Sequence, residues 1–432
     1  MKICVLTLGC PKNIVDSEYL LARLFDKQAQ FVDRAEQADV VIINTCAFIL
    51  PARAEAIETI LEAVQLKEIG KIKRVYVTGC LPQRYLDELQ KEIPEVDGFF
   101  DEYDFFKIGK KLSHQLNLNS NNRTKRRIIQ TPNHYAYLKI ADGCDNRCRY
   151  CTIPEIKGSY RDRPLQDLLD EAKELADSGV RELILVAQDT TYYGWKQGNK
   201  KLLCDLINSI AKIEPIKWIR ILYAHPTRMN DCIIQLYNEH KKLCRYIDLP
   251  IQHISDKILE SMGRPISSNE IRRLINKMRE KVPGIAIRTT LMVGYPGEDE
   301  QDFALLKEFI TETEFERLGV FKFYPEDRTD AAKMSNQVDE SIKEDRYEEI
   351  MEIQAAISLK KNHQLLGRTL SVIIDAMEED NSGFLGRTQW DSPSIDNAVH
   401  VTGNLNIGRI YPVTIDQVSE YDLWGKVTNI IH

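Results

Sequence analysis

Six of the ten cysteines in this 432-residue chain are placed where thiolates could hold a cluster or a metal. Cys144, Cys148 and Cys151 form a C-x3-C-x2-C run, with Tyr150 just before the last Cys and Thr152-Ile153-Pro154 after it. Three thiolates this close in sequence can wrap one face of a cluster or ion. Structural zinc takes four ligands, and no fourth Cys or His lies nearby, so a zinc site would have to borrow a distant one. A 4Fe-4S cluster held by three cysteines keeps one iron open for a further ligand. Cys10, Cys46 and Cys80 lie far apart, yet each ends a similar phrase. Ile3 to Gly9 precedes Cys10, Val40 to Thr45 precedes Cys46, and Val75 to Gly79 precedes Cys80. Each phrase is a short β-branched run, expected as a buried parallel strand, and each is followed by a helical pattern. Alone, three strand-end cysteines are more often inert buried residues; their equivalent placement points to a second cluster. Cys4, Cys204, Cys232 and Cys244 have no such company and are expected to pack, since a cytosolic chain has little use for disulfides.

The elements that must position these residues fall into three groups. Residues 1–116 read as a five-strand α/β domain, with weaker strands near Phe31-Val32-Asp33 and Val96 to Phe99. In the flavodoxin-like order 2-1-3-4-5 the three cysteine-bearing strands are adjacent, and sites form at their carboxyl ends. Neighbouring strands are about 4.8 Å apart, so the three thiols can converge. Residues 117–134 read as a polar linker, whose basic stretch from Arg123 to Arg127 is expected to be solvated. Residues 135–364 alternate strands and helices. The strands are expected near 137–141, 183–186, 218–222, 246–249, 285–293 and 318–323. Six such units suggest an open, partial (β/α)6 barrel of the TIM type, with its chemistry on the loops at the strands' carboxyl ends. The triple-Cys loop follows the first of these strands. Residues 366–432 change character: short strands near 372–374, 398–401, 410–415 and 424–427, separated by turns, fit a small antiparallel barrel.

Composition sets the outer limits. The chain is 43% hydrophobic and 28% charged, which excludes wholesale disorder. No apolar run approaches the ~20 residues that span a bilayer, and the N-terminal stretch lacks the regions of a signal peptide; a cytoplasmic enzyme is expected. The net charge of −7 excludes a binder that relies on overall positive charge to hold nucleic acid. It divides into about +1 for residues 1–134, −3 for the barrel and −5 for the last domain. That acidic last domain suits a basic partner that is not a polyanion.

The C-x3-C-x2-C spacing with its aromatic is that of the radical S-adenosylmethionine enzymes. Together with the cysteine-bearing α/β domain and the terminal β-barrel, which is TRAM-like, it resembles the methylthiotransferases of that superfamily over essentially the whole chain. Two branches matter. One modifies an adenosine beside the anticodon of tRNA; the other, the RimO type, modifies an aspartate of the twelfth protein of the small ribosomal subunit. The phrase from Leu8 to Glu18, LGCPKNIVDSE, is similar to the second, since the tRNA branch has Gln-Met where this chain has Pro11-Lys12. So are Leu185 to Thr191, Leu249 to Ser255, Arg288 to Glu298 and Gly386 to Asp396.

The resemblance implies two 4Fe-4S clusters, one on Cys144, Cys148 and Cys151 and one on Cys10, Cys46 and Cys80. It implies that the first reductively cleaves S-adenosylmethionine to a deoxyadenosyl radical, which takes a hydrogen from the β-carbon of the aspartate. The second would offer a sulfur species, methylated by another S-adenosylmethionine and collected by the substrate radical. Both clusters must then face one cavity. Tyr150, Gln188, Gln252 and Arg288 are candidates to hold S-adenosylmethionine, and structural hydrogen bonding explains the last three equally well. His225 and His253 are expected to be structural. The implied partners are a basic ribosomal protein as substrate and an electron donor such as a flavodoxin-type reductant, with tRNA disfavoured. The rivals are a tRNA adenosine methylthiotransferase and an iron–sulfur carrier without substrate chemistry.

Overall fold

The computed structural model describes residues 1–118 and 126–428, so part of the expected linker, including Arg123 and Lys125, lies outside the described residues. The first domain runs β1 (Lys2–Thr7), α1 (Pro11–Leu24), β2 (Gln30–Phe31), β3 (Val40–Thr45), α2 (Leu50–Glu68), β4 (Arg74–Gly79), α3 (Cys80–Glu92), β5 (Gly98–Phe99) and α4 (Phe105–Gln115). The sheet order is β2-β1-β3-β4-β5 and every pairing is parallel. All six residues of β3 are buried, as a central parallel strand requires. In register, Thr7 faces Asn44 and Thr45 faces Gly79, so the carboxyl ends of β1, β3 and β4 are level.

The second unit runs β6 (Tyr135–Lys139), β7 (Ala141–Asp142), α5 (Ile153–Lys157), β8 (Arg161–Asp162), α6 (Leu165–Asp177), β9 (Glu182–Val186), α7 (Leu202–Ala211), β10 (Trp218–Ile221), α8 (Asp231–Glu239) and β11 (Leu243–Asp248). It continues through α9 (Asp256–Ser261), α10 (Ser268–Lys281), β12 (Ala286–Val293), α11 (Glu300–Thr313), β13 (Arg317–Lys322) and α12 (Glu340–His363). Its six long strands form one parallel sheet in the order β13-β12-β11-β10-β9-β6. Outward residues such as Leu183, Ile219, Ile247 and Leu291 pack under the helices. Inward ones, among them Tyr137, Ile184, Trp218, Tyr246 and Ala286, share a core with Tyr19 and Ile108 of the first domain and Ile373 of the last. The open sheet therefore buries its concave face against its neighbours.

The last unit is a closed barrel of β14 (Thr369–Met377), β15 (Phe384–Thr388), β16 (Val399–Thr402), β17 (Ile410–Val418) and β18 (Leu423–Val427), in the order β14-β15-β16-β18-β17; it is antiparallel as expected except that β16 and β18 run parallel. Strand β15 was not among the expected strands: Gly386 interrupts its apolar pattern because a Cβ there would lie 2.5 Å from the Ile373 carbonyl. Cys244 lies within β11 rather than ahead of it. Cys204 and Cys232 do not merely pack; they form a disulfide between α7 and α8, adjacent helices that bring the two Cα atoms within 6.6 Å. The expectation from redox compartment could not anticipate that neighbourhood.

Buried ion pairs join the three units. Arg127 pairs with Glu18 and Glu171, Tyr19 donates to Glu171 at 2.7 Å, and Lys139 bonds Asp16. On the other side Arg387 meets Glu182 at 2.8 Å and Asp375 at 2.6 Å, Arg317 meets Asp391, and Arg288 meets Asp396 at 3.2 Å. Three of the last domain's nine acids thus face inward, so less of its charge is presented outward than the sequence count suggests.

Burial works against the charge on Glu171, but Arg127, Arg163 and the Tyr19 hydrogen bond outweigh it and hold the carboxyl at about 2 instead of 4.5. A depressed carboxylate contributes stability above its unfolded value and loses it as pH falls through the folded one. Thermal unfolding followed by circular dichroism should therefore show stability falling between about pH 4.5 and about 2. Glu171→Gln should lower stability at neutral pH and flatten that part of the profile; an unchanged acid slope would refute the assignment.

Candidate functional site

Cys10, Cys46 and Cys80 all sit at the carboxyl edge of the first sheet. Gly9, at φ +90°, turns the chain out of β1 and delivers Cys10 to the N-cap of α1. A Cβ on Gly9 would lie 2.7 Å from Cβ and 3.0 Å from Sγ of Cys46, so only glycine lets these two loops approach. Cys46 follows β3 directly, and Cys80 opens α3 immediately after β4. Cys10 therefore caps α1 and Cys80 opens the first turn of α3, where burial raises its thiol above the ordinary value.

Side chains outside the triad tie its loops together. Asn13 donates to the carbonyls of Leu8, at 2.9 Å, and Thr45, at 3.0 Å. Asn44 donates to the Asn13 carbonyl, and Thr45 Oγ1 donates to the Thr78 carbonyl at 2.7 Å while accepting from Leu81 N. Burial, then the neighbouring Cys80 and Cys10, push the Cys46 thiol up to about 12. Three such thiols ionise together only around a cationic centre.

Cys144, Cys148 and Cys151 lie on the loop after β6 and β7. Gly143, at φ +74°, passes so near Ser159 that a Cβ would be 2.3 Å from its carbonyl. Cys144 N donates to the Gly158 carbonyl and Cys151 N to the Cys148 carbonyl. The loop is clamped from the barrel: Arg149 N donates to Met262 O at 3.0 Å, and its own carbonyl accepts from Ala331 N. Asn146 donates to Asp189, and Arg228 bonds both, at 2.6 and 2.8 Å. Burial raises the Cys144 thiol to about 11. Among the described residues neither triad closes to the spacing of a single-ion site; a cubane distributes its thiolates over separate irons and asks for wider spacing.

The other expected residues differ in their surroundings. Gln188 lies two residues past β9, and its buried Oε1 has no hydrogen-bond partner. A buried acceptor left unmatched in this position suits a ligand donor. Gln252 follows β11 in the left-handed region, φ +72°, pinned by backbone bonds to Thr290 and Met292. Backbone strain of this kind gathers at functional sites. Tyr150 stands edge-on to Tyr295, centroids 6.4 Å apart, with Arg264 at 3.4 Å from its hydroxyl. Arg288 is placed differently from the expectation of a strand end: it is the third residue of β12, and its guanidinium is taken by Asp248 at 2.9 Å and by Asp396. His225 accepts from Thr227 N, and burial with Arg264 and Arg228 pushes it down to about 2, so it stays neutral. His253 is fully buried beside Glu298.

The first domain's cysteine edge is seated on the barrel mouth at two points. Lys12, two residues past Cys10, holds its ammonium 3.7 Å over the Tyr223 ring, on the loop after β10. Tyr223 is itself at φ +58° and is fixed there by its N–H bond to Asp248. Lys157, on the helix following Cys151, is buried among Cys80, Asp16, Asp142 and Cys10. Lys157 was not singled out, and Lys12 only as part of the Pro11-Lys12 phrase. The phrase LGCPKNIVDSE contained Lys12, Asn13, Asp16 and Glu18, but their partners lie over a hundred residues away, save those of Asn13.

Comparison with known proteins extends this picture. Residues 2–101 match the family described as uncharacterized protein family UPF0004, residues 138–310 the radical SAM superfamily and residues 366–428 the TRAM domain. The chain is 44% identical over 441 residues to the ribosomal protein uS12 methylthiotransferase RimO of Citrifermentans bemidjiense, covering 99% of this chain and 98% of that one. It is 43% identical over 441 residues to the protein of the same name from Clostridioides difficile, covering 99% of each. Among solved structures, the radical S-adenosylmethionine methyltransferase TsrM from Kitasatospora setae matches with a TM-score of 0.54 at 14% identity, over 74% of each chain. The cobalamin-dependent radical enzyme OxsB matches with a TM-score of 0.52 at 13% identity, over 80% of this chain and 56% of that one. These last two likenesses speak for the fold.

Proposed function

The chain belongs to the RimO family of radical S-adenosylmethionine methylthiotransferases, and on that premise we propose that it methylthiolates ribosomal protein uS12, at the β-carbon of an aspartate. A 4Fe-4S cluster and S-adenosylmethionine follow from the radical SAM superfamily. We assign that cluster to Cys144, Cys148 and Cys151, and a second to Cys10, Cys46 and Cys80. The observation that carries the two-cluster reading is the seating of the Cys10 loop on the barrel mouth through Lys12 and Tyr223.

When bound, the clusters and S-adenosylmethionine supply radical cleavage and sulfur transfer, chemistry that no side-chain acid or base can perform on an unactivated C–H bond. The chain's own residues supply position. Asp189, Asn146 and Arg228 fix the C-x3-C-x2-C loop, and Arg264 ties Tyr150 to the Pro250 carbonyl beside Gln252. Gln188 and Gln252 would hold S-adenosylmethionine, with the backbone at Tyr150 a further contact to it. Lys139, Asp16 and Lys157 form a buried ionic seam between the first domain and the barrel. An external one-electron donor of flavodoxin type is required, because none of these groups supplies an electron.

No helix among the described residues is long and apolar enough to cross a membrane. The reconstituted enzyme is to be incubated with uS12 and, separately, with tRNA, and the products weighed. A methylthio group on uS12 and none on tRNA is the expected result; the reverse would replace this function with tRNA modification.

A further inference from the structure

Helix α2 leaves one face without a partner. It buries Ala56, Ile60, Ala63 and Val64 against its sheet. Beside that buried face, at the edge of the exposed one, Leu50, Ala54, Ile57 and Leu61 follow helical spacing and form one stripe. Leu50 is 54% exposed, Ile57 39% and Leu61 50%, and Phe48, just ahead of the helix, is 40% exposed. Ala54, Ile57 and Leu61 share an open stretch of surface with Glu58, Glu62, Gln65 and Glu68. An apolar surface of this continuity marks an interaction site more often than an isolated exposed Leu does.

The stripe is flanked by Glu55, Glu58, Glu62 and Glu68. The two basic residues of the helix do not neutralise them. Arg53 turns to Glu326 and Asp327, and Lys67 to Asp97. Among the described residues no cation stands in ion-pair contact with the four glutamates. A second copy of this chain would set glutamate against glutamate, and RNA or an anionic membrane would be repelled. An apolar segment bearing lysine and arginine meets both features.

Position narrows the partner further. The helix begins four residues after Cys46, with Phe48 between them, so a chain lying along α2 leads to the rim of the Cys10–Cys46–Cys80 triad. A ribosomal protein is basic because it must replace counterions on RNA phosphates. Resting on the function proposed above, we propose that this face of α2 is the docking surface for the basic ribosomal-protein substrate, gripping it beside the segment that carries the target residue.

The test uses the full holoenzyme with both clusters, the Glu58→Lys/Glu62→Lys double variant and, separately, Leu61→Ser. These positions are exposed, so folding should be preserved. Three quantities are measured: KM and kcat for free uS12, binding of uS12 by titration calorimetry, and deoxyadenosine release with dithionite and no protein substrate. Both variants should raise KM and Kd tenfold or more, with kcat and substrate-free deoxyadenosine release within twofold of wild type. Binding and KM within twofold of wild type would overturn the proposal, as would a loss of deoxyadenosine release equal to the loss of binding. If wild type binds uS12 without modifying it, the substrate assignment fails, and the docking surface is still judged by whether the variants lose that binding.

Discussion

Cys10→Ala should leave S-adenosylmethionine cleavage running and stop methylthiolation. The barrel's three cysteines stand on a different domain, and their loop is held by Met262, Ala331, Asn146, Asp189 and Arg228, none of which touches Cys10. Cys10 makes no side-chain cap bond at the head of α1, so alanine removes a thiol without removing a structural hydrogen bond. Product should fall by about a thousandfold or more, because the loss is of a cofactor's ligand and not of a few kcal/mol of binding. Deoxyadenosine release should stay within a few fold of wild type. Mass spectrometry of uS12 and chromatography of deoxyadenosine read the two outcomes from one reaction, and unimpaired methylthiolation would sink the two-cluster reading.

The second large effect lies on the other triad. Cys148→Ala should abolish deoxyadenosine release and methylthiolation together. The Cys148 carbonyl accepts from Cys151 N and the neighbouring Arg149 backbone is clamped on both sides, so the loop retains its shape in alanine's presence. Iron content should fall by about half, since one of two clusters is lost. Circular dichroism should match wild type, which separates loss of the ligand from loss of the fold. Sustained deoxyadenosine production in this variant would place the reductive step elsewhere.

What could be read from the residues alone, and what could not, divides along physical lines. The strand order of the first domain was legible because β1, β3 and β4 are continuous β-branched runs, and buried parallel strands have little other composition available. The C-x3-C-x2-C spacing is local, so one glance at the chain contains the whole pattern. The bonds between domains are not local. Lys139 and Asp16, or Arg387 and Glu182, are partners only after folding, and neither residue's sequence neighbourhood differs from that of a solvated charge. The same blindness applied to Arg288, which reads as a ligand-holding residue near a strand end but is engaged by Asp248 and Asp396. It applied again to Cys204 and Cys232, whose pairing depends on two helices lying side by side. The unpartnered face of α2 is likewise a property of the assembled fold.

The buried charges at the first domain's edge also bear on synthesis. Asp16 and Glu18 leave the ribosome more than a hundred residues before the cations that meet them, Lys139 and Arg127. In the interval both carboxylates are hydrated, and the young domain carries them as an open, unsatisfied surface. Closure removes both from water in one event, and the desolvation is offset only by cations in register. A barrel that misfolds cannot supply that register. The seam between the two halves is therefore conditional on both: its charges are neutralised only where the second half sets Lys139 and Arg127 opposite them.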